Sequence, residues 1–214
     1  MTWISDMARW VWHESIHMFH ALNPVLRRNA ALWKNSAGVD FLRIIGVKEG
    51  DVVIDFGCGS GNFCIPAAGF VGAGGMVYAV DKNPRLLKKV RRKADALGLQ
   101  TLCIASSLAE LTPLPENRSC NVVLLYDMLH FLDAPERKKL YAALYDILAD
   151  DGLLSVHMKH VKGNDPGRYF MTMFAEEVAR EIETAGYCLS WRLPVRIWHS
   201  YDTENSLVWN FIKR

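Results

Sequence analysis

The stretch Val52-Val53-Ile54-Asp55-Phe56-Gly57-Cys58-Gly59-Ser60-Gly61 decides the fold. A short β-branched run, suited to a buried strand, passes directly into three glycines at alternate positions. Glycine lets a chain turn tightly and removes the side chain that would keep a ligand away from the backbone. Residues 61–71 then read as a helix, whose first turn offers free N–H groups and the positive end of its dipole. Strand, glycine loop and helix together mark an open α/β sheet, in which ligands sit outside the carboxyl ends of the strands.

Outward from this loop the alternation continues. Residues 76–80 read as a second buried strand, ending at Asp81. Gly61 and Asp81 lie about 20 residues apart, the spacing that sets an acid at the next strand tip to accept ribose hydroxyls. Asn83 and Pro84 open a helix as N-cap and first residue. Its stripe is Leu86, Leu87, Val90, Ala94 and Leu97, and Gly98 stops it. Residues 101–105 and 121–126 read as strands, the latter apolar on both faces as a parallel-sheet strand is. Pro135 opens a helix with the stripe Leu140, Leu144, Ile147 and Leu148, ended by Asp151-Gly152. Residues 153–157 form a fifth strand. A helix over 174–185 and two β-like runs over 187–197 and 206–212 complete the chain.

Upstream, residues 4–20 read as an aromatic-rich helix containing Trp10 and Trp12. Asn23-Pro24 breaks that pattern, and a second helix runs over 29–45 to Gly46. Alternating β and α elements imply a parallel sheet with helices on both faces. The predicted fold is α/β: a Rossmann-like doubly wound sheet, mostly parallel with an antiparallel C-terminal strand and an N-terminal helical extension. Residues 1–46 are expected to form the extension or lid, and 47–214 a single core.

Composition narrows the function. The chain has 214 residues and a formal net charge of +2, so no large field draws it to nucleic acid or an anionic membrane. A small substrate is the expectation. The five cysteines, Cys58, Cys64, Cys103, Cys120 and Cys188, are odd in number and contain no C-x-x-C pair, which points to a reducing compartment rather than a disulfide framework. No signal peptide or membrane-spanning run is read, and a cytoplasmic location is expected.

A nicotinamide-binding loop needs G-x-G-x-x-G. Here the third glycine comes one residue early and an acid, Asp55, stands before the loop. Asp-Phe-Gly-Cys-Gly-Ser-Gly closely resembles the first motif of class I S-adenosylmethionine-dependent methyltransferases, and the resemblance spans about residues 40–160. Asp81 matches that family's ribose-binding acid, and the apolar strand ending Leu125-Tyr126-Asp127 matches its fourth motif. Leu-Pro-Glu-Asn at 114–117 resembles the loop before that strand. Within the family the chain looks most like the small-molecule branch that includes the quinone C-methyltransferases, with which the Asn23-Pro24 and Arg27-Arg28 segment agrees. In two places the chain departs from the family. The acid expected after the third strand is replaced by Ala105-Ser106-Ser107, and the acid opening the fourth strand by Asn121. No Asn/Asp-Pro-Pro-aromatic run follows that strand, against amino-directed nucleic-acid methylation.

The resemblance implies S-adenosylmethionine as cofactor, S-adenosylhomocysteine as product, and a small-molecule methyl acceptor. It assigns the loop of Gly57, Gly59 and Gly61 to the cofactor's methionine part, and counts Asp55, Cys58, Asn62 and Tyr126 among the cofactor-binding residues. Asp81 goes to the ribose, and Lys82, Asn83 and Ser106 to the adenine edge. Lys82 reads equally as a solvated surface lysine. Asp127 and His130, one helical turn apart after the fourth strand, and His157 after the fifth, are the candidate catalytic residues, since imidazole titrates near neutrality. A backbone-capping role is the alternative for each, and His160 is weighed in the same way. His13-Glu14-Ser15-Ile16-His17 fits H-E-x-x-H, but it lies outside the sheet region with no third ligand in view. It reads as a helix stripe, or as part of a lid in which Trp10, His13 and His17 face the substrate, and no metal centre is assigned. The basic run Arg85, Lys88, Lys89, Arg91, Arg92 and Lys93 reads as a solvated helix face. An RNA or protein methyltransferase, and a catalytically silent cofactor-binding module, remain as alternatives.

Overall fold

A computed structural model of the chain describes residues 23–111, 120–163 and 172–214. The expected first helix, with Trp10, His13 and His17, lies outside them, as do residues 114–117.

The described chain begins with helix α1 (Pro24–Leu32), a π-helical turn (Trp33–Ala37) and α2 (Gly38–Ile45). Asn23-Pro24 therefore starts a helix, five residues earlier than the sequence suggested. The Asn23 side chain accepts from the N–H of Val25 at 2.9 Å and of Leu26 at 3.4 Å, and Pro24 takes the first helical position, where its missing N–H costs nothing. This is the same chemistry as Asn83-Pro84 further on. Gly38 is required by the π turn, because a Cβ there would lie 2.6 Å from the Trp33 carbonyl oxygen.

Then β and α alternate: β1 (Val52–Phe56), α3 (Cys64–Val71), β2 (Met76–Val80), α4 (Pro84–Leu97), β3 (Leu102–Ala105), β4 (Cys120–Tyr126), α5 (Ala134–Ile147), β5 (Leu148–His157), α6 (Ala175–Thr184), β6 (Tyr187–His199) and β7 (Asp202–Lys213). The sheet order is β3-β2-β1-β4-β5-β7-β6. All neighbouring pairs are parallel except those made by β7, which runs antiparallel to both β5 and β6. The doubly wound α/β class with one antiparallel C-terminal strand is the observed fold.

Several boundaries differ from expectation. Helix α3 begins at Cys64, not 61, because the glycine loop holds positive φ through Gly61. Helix α5 ends at Ile147, and Leu148 already pairs with Cys120 in the sheet. Asp151-Gly152 therefore lies inside β5, where the register with β4 shifts between Cys120 and Val122. Leu97, placed on the buried stripe of α4, is 63% exposed, whereas Val90 and Ala94 are buried.

Strand alternation divides the core between the two faces. Ile54, Val80 and Leu125 pack with α5 and α6 through Leu140, Leu144, Val178 and Ile182. Val53, Val77 and Leu124 pack with α3, α4 and the N-terminal helices through Ala67, Val90, Trp33, Phe41 and Ile45. The core thus runs across residue 46, and α2 is part of it. On the first of these faces Arg137 of α5 makes a two-pronged ion pair with Glu181 of α6, at 2.8 and 2.7 Å. The strand order reverses between β1 and β4, so the crevice for a ligand opens at their carboxyl ends.

Candidate functional site

The glycine loop is anchored at both ends and in the middle. The N–H groups of Gly57 and Cys58 both donate to the Val80 carbonyl at the tip of β2, at 2.8 and 3.0 Å. Gly57, Gly59 and Gly61 have φ of +80°, +55° and +85°. They differ in what surrounds them. A Cβ on Gly57 would stand 2.8 Å from the Met128 Cβ, and one on Gly61 would stand 3.0 Å from Ile65. Gly59 lines the cleft, and a Cβ there would meet only the Gly57 carbonyl at 4.0 Å. Packing requires the outer glycines; the middle one leaves the backbone bare to a ligand.

Asp81 accepts from the Gly59 N–H at 2.9 Å through Oδ2 and from the Asn83 N–H at 2.8 Å through Oδ1. It therefore latches the loop, and each carboxylate oxygen retains a lone pair for a hydroxyl donor. Asp55 lies under the loop, 2% exposed, and caps α3 from the preceding strand by accepting the Cys64 N–H at 3.0 Å. Burial raises its pKa to about 7 despite that hydrogen bond. Two contacts absent from the sequence reading complete the support. The Trp33 indole N–H donates to the Asn62 carbonyl at 2.8 Å, and the Lys93 ammonium donates to the Ser60 carbonyl. Lys93 thus leaves the solvated face assigned to the basic run of α4.

A cleft of about 670 Å³ opens over this loop. Gly57, Cys58, Gly59, Asn62, Asp81, Lys82, Ser106 and Tyr126 line it. Asp55 and Gly61 do not; they shape the loop from beneath. The Ser106 hydroxyl and N–H are both bound by Glu110, four residues on. The acid missing after β3 thus has a counterpart one short helical turn away, holding the serine from behind. Tyr126 is buried, with its hydroxyl 2.7 Å from Ser155 Oγ and its ring edge-on to Phe63 at 4.7 Å.

Asp127, Met128, Phe131, His157, Trp198 and His199 also line the cleft. His157 is buried, its Nε2 2.8 Å from Ser206 Oγ, and burial lowers its pKa to about 4. His130 does not line the cleft. Its ring packs on Phe131 at 3.9 Å, its Nδ1 is 3.8 Å from Asp127, and burial likewise lowers its pKa to about 4. Both imidazoles are neutral near pH 7, available as acceptors but not as general acids. Asp127 has a φ of +53°, unusual outside glycine. Burial pushes its pKa up, but the hydrogen bonds and charges of His160 and His199 outweigh that and hold the carboxyl well below the usual range. Asp127 Oδ2 is 3.3 Å from His160 Nε2 and 3.1 Å from His199 Nε2. Behind His199, Glu204 approaches Nδ1 at 3.4 Å and the Lys159 ammonium at 3.0 Å. His199 and Glu204 were not singled out from sequence, because no local motif surrounds them.

Residues 53–152 match the family described as a methyltransferase domain. Those residues, from β1 into β5, carry a methyltransferase domain. The cofactor of this family is S-adenosylmethionine. Over 117 residues the chain is 30% identical to the aklanonic acid methyltransferase DauC of Streptomyces sp. strain C5, covering 51% of this chain and 53% of that protein. Over 154 residues it is 27% identical to the ubiquinone/menaquinone biosynthesis C-methyltransferase UbiE of Psychromonas ingrahamii, covering 71% and 59%. The chain spans a little over half the length of these curated relatives. Among solved structures it resembles a SAM-dependent methyltransferase from Aquifex aeolicus, with a TM-score of 0.69, 22% identity, and 86% and 93% of the two chains covered. That likeness shows the fold. Among the described residues no helix is long and apolar enough to cross a membrane.

Proposed function

We propose that this methyltransferase domain transfers a methyl group from S-adenosylmethionine to a small-molecule acceptor. The observation that carries the reading is one continuous cleft. It joins the bare backbone at Gly59 and the carboxylate of Asp81 to an aromatic, histidine-bearing wall. The residues fit the cofactor: a Cβ at Gly59 would fill the space the ligand needs, and Asp81 has lone pairs left for ribose hydroxyls. S-adenosylmethionine supplies an electrophilic methyl on a sulfonium.

The chain's own residues do the rest by placement. Gly57, Cys58 and Gly59 set the backbone against the methionine end. Ser106 and Lys82 lie at the far edge, where adenine fits. Phe63 and Tyr126 offer ring faces and edges next to the loop, and a cation is attracted to aromatic faces. Met128 and Trp198, both buried on the cleft wall, keep water from the acceptor, and exclusion of water together with alignment provides most of the acceleration in such a transfer. His157, neutral and facing the cleft, is the candidate to accept an acceptor's proton; Asp127 is a permanent anion beside it. The modest net charge and the compatible names of the relatives favour a small acceptor over a polymer.

The test is methyl transfer with labelled cofactor against a panel of phenols, hydroquinones, thiols and carboxylic acids, with RNA and protein as comparison arms. The proposal expects label in one small-molecule class with matching formation of S-adenosylhomocysteine. Label in RNA or protein alone would overturn the acceptor assignment.

A further inference from the structure

We propose that Asp127, His160 and His199 form a binding site for one divalent transition metal ion of the zinc class, at the wall of the cleft. The three donors come from three separate segments: the tip of β4, the tip of β5 and the end of β6. Their ligand atoms make a nearly equilateral triangle. Asp127 Oδ2 to His160 Nε2 is 3.3 Å, Asp127 Oδ2 to His199 Nε2 is 3.1 Å, and the two Nε2 atoms are 3.4 Å apart. A tetrahedral ion with metal–ligand bonds of ~2.0 Å has edges of roughly 3.3 Å. Hydrogen bonding alone explains the triangle less well. If both imidazoles donate to one carboxylate oxygen, two N–H groups crowd the same side of it. If the imidazoles bond to each other, one of them loses the carboxylate.

Three further features match a metal centre. Glu204 Oε1, buried and without a hydrogen-bond partner, lies 3.4 Å from His199 Nδ1, within reach of the carboxylate–histidine–metal arrangement that orients a ligating imidazole and raises its basicity. Asp127 Oδ1 is buried and makes no hydrogen bond. Asp127 is also held at a φ of +53°, a strained conformation of the kind that accumulates at functional sites. Two imidazoles and a carboxylate suit zinc, cobalt(II) or iron(II) better than magnesium or calcium, which prefer oxygen donors. Three protein ligands leave a fourth position open, as in catalytic rather than structural zinc sites. Asp127 and His199 both line the cleft, so that position faces the acceptor.

This placement deepens the methyl-transfer reading and in that respect rests on it. An acceptor hydroxyl or thiol at the open position would pass its proton to His157, the candidate base of the same cleft. Its lone pair then forms the bond to the methyl carbon while the carbon–sulfur bond breaks, the electrons staying on sulfur to leave S-adenosylhomocysteine. The metal is neither oxidised nor reduced; it stabilises the anion.

The probe is cobalt(II) alone, added to the chelator-treated full chain, with visible absorption and equilibrium dialysis as readouts. One equivalent per chain is expected, with the intense bands of a four-coordinate site. His199→Gln, His160→Gln and Asp127→Asn should each abolish stoichiometric binding, with circular dichroism showing that the variants fold. Glu204→Gln should weaken binding about 10–100-fold. The double variant His13→Ala/His17→Ala should bind as the parent does, which separates this site from the N-terminal H-E-x-x-H. Cobalt binding absent from the folded parent, or retained by all three ligand variants, would overturn the proposal. Cofactor binding is titrated separately. Cobalt bound without S-adenosylmethionine would leave the metal site standing and remove the methyl-transfer reading; the reverse would remove only the metal.

Discussion

Substituting alanine at Gly57 and at Gly59 separates what holds the loop together from what admits the ligand. Both positions have positive φ, at +80° and +55°, so each pays a left-handed penalty of about 1–2 kcal/mol for any side chain. At Gly59 that is the whole cost, because the new methyl meets only the Gly57 carbonyl at 4.0 Å. At Gly57 the methyl arrives 2.8 Å from Met128 Cβ and 3.0 Å from Met128 Cγ. Met128 Cβ cannot swing away without moving the backbone after β4, and such overpacking adds about 1–3 kcal/mol. Gly57→Ala should therefore lose roughly 2–5 kcal/mol of stability and Gly59→Ala roughly 1–2. Affinity should rank differently from stability: the Gly59 methyl occupies ligand space, so a folded Gly59→Ala should bind S-adenosylmethionine at least about tenfold more weakly, ~1.4 kcal/mol. Urea unfolding gives the first quantity and calorimetric titration the second. Equal destabilisation by the two variants, or parent-like affinity in Gly59→Ala, would refute the reasoning.

Asp55 predicts a pH dependence of stability. Folding raises its pKa from the ordinary 3.8 to about 7, so its contribution is fully present below the ordinary value and is lost as pH rises through about 7. Asp55→Asn keeps the acceptor for the Cys64 N–H and carries no charge; relative to it, the ligand-free parent should lose a few kcal/mol between about pH 4 and pH 8, and parallel urea midpoints across that range would contradict this. Trp33→Phe keeps the ring but removes the donor to the Asn62 carbonyl; it should cost roughly 1–2 kcal/mol and weaken cofactor binding, whereas unchanged affinity would show that the indole bond plays no part in shaping the loop. Glu181→Ala strands Arg137, which is 7% exposed, and should cost about 3 kcal/mol; the double variant Arg137→Met/Glu181→Leu should recover much of that in thermal unfolding, and a double variant less stable than the single would count against it.

The sheet was legible because its signals are local. Val52–Phe56 followed by glycines, Asn83-Pro84 followed by an apolar stripe, and a strand apolar on both faces each carry their meaning within a few residues. Misreadings arose where one local signal has two outcomes. Asn23-Pro24 both stops and starts helices, and only the placement of the Asn23 carboxamide on the next N–H groups decides. Asp151-Gly152 has the composition of a turn, yet the pairing of Leu148 with Cys120 draws it into a strand. At the site, the glycines and Asp81 announced themselves by spacing, but the supports did not. Trp33, Lys93 and Glu110 act through contacts formed only on folding, and Trp33 reaches Asn62 across 29 positions. The grouping of Asp127, His160 and His199 is least legible of all, since the strand order alone brings the three segments together. No local motif joins Asp127 to His160 or to His199.

The most direct test of the central claim is calorimetric titration of the purified chain with S-adenosylmethionine and S-adenosylhomocysteine, with Asp81→Ala and NADH alongside. The account predicts one site per chain for both sulfur ligands, binding lost in Asp81→Ala, and no binding of NADH. A folded parent that binds neither sulfur ligand, or that binds NADH in their place, would contradict it.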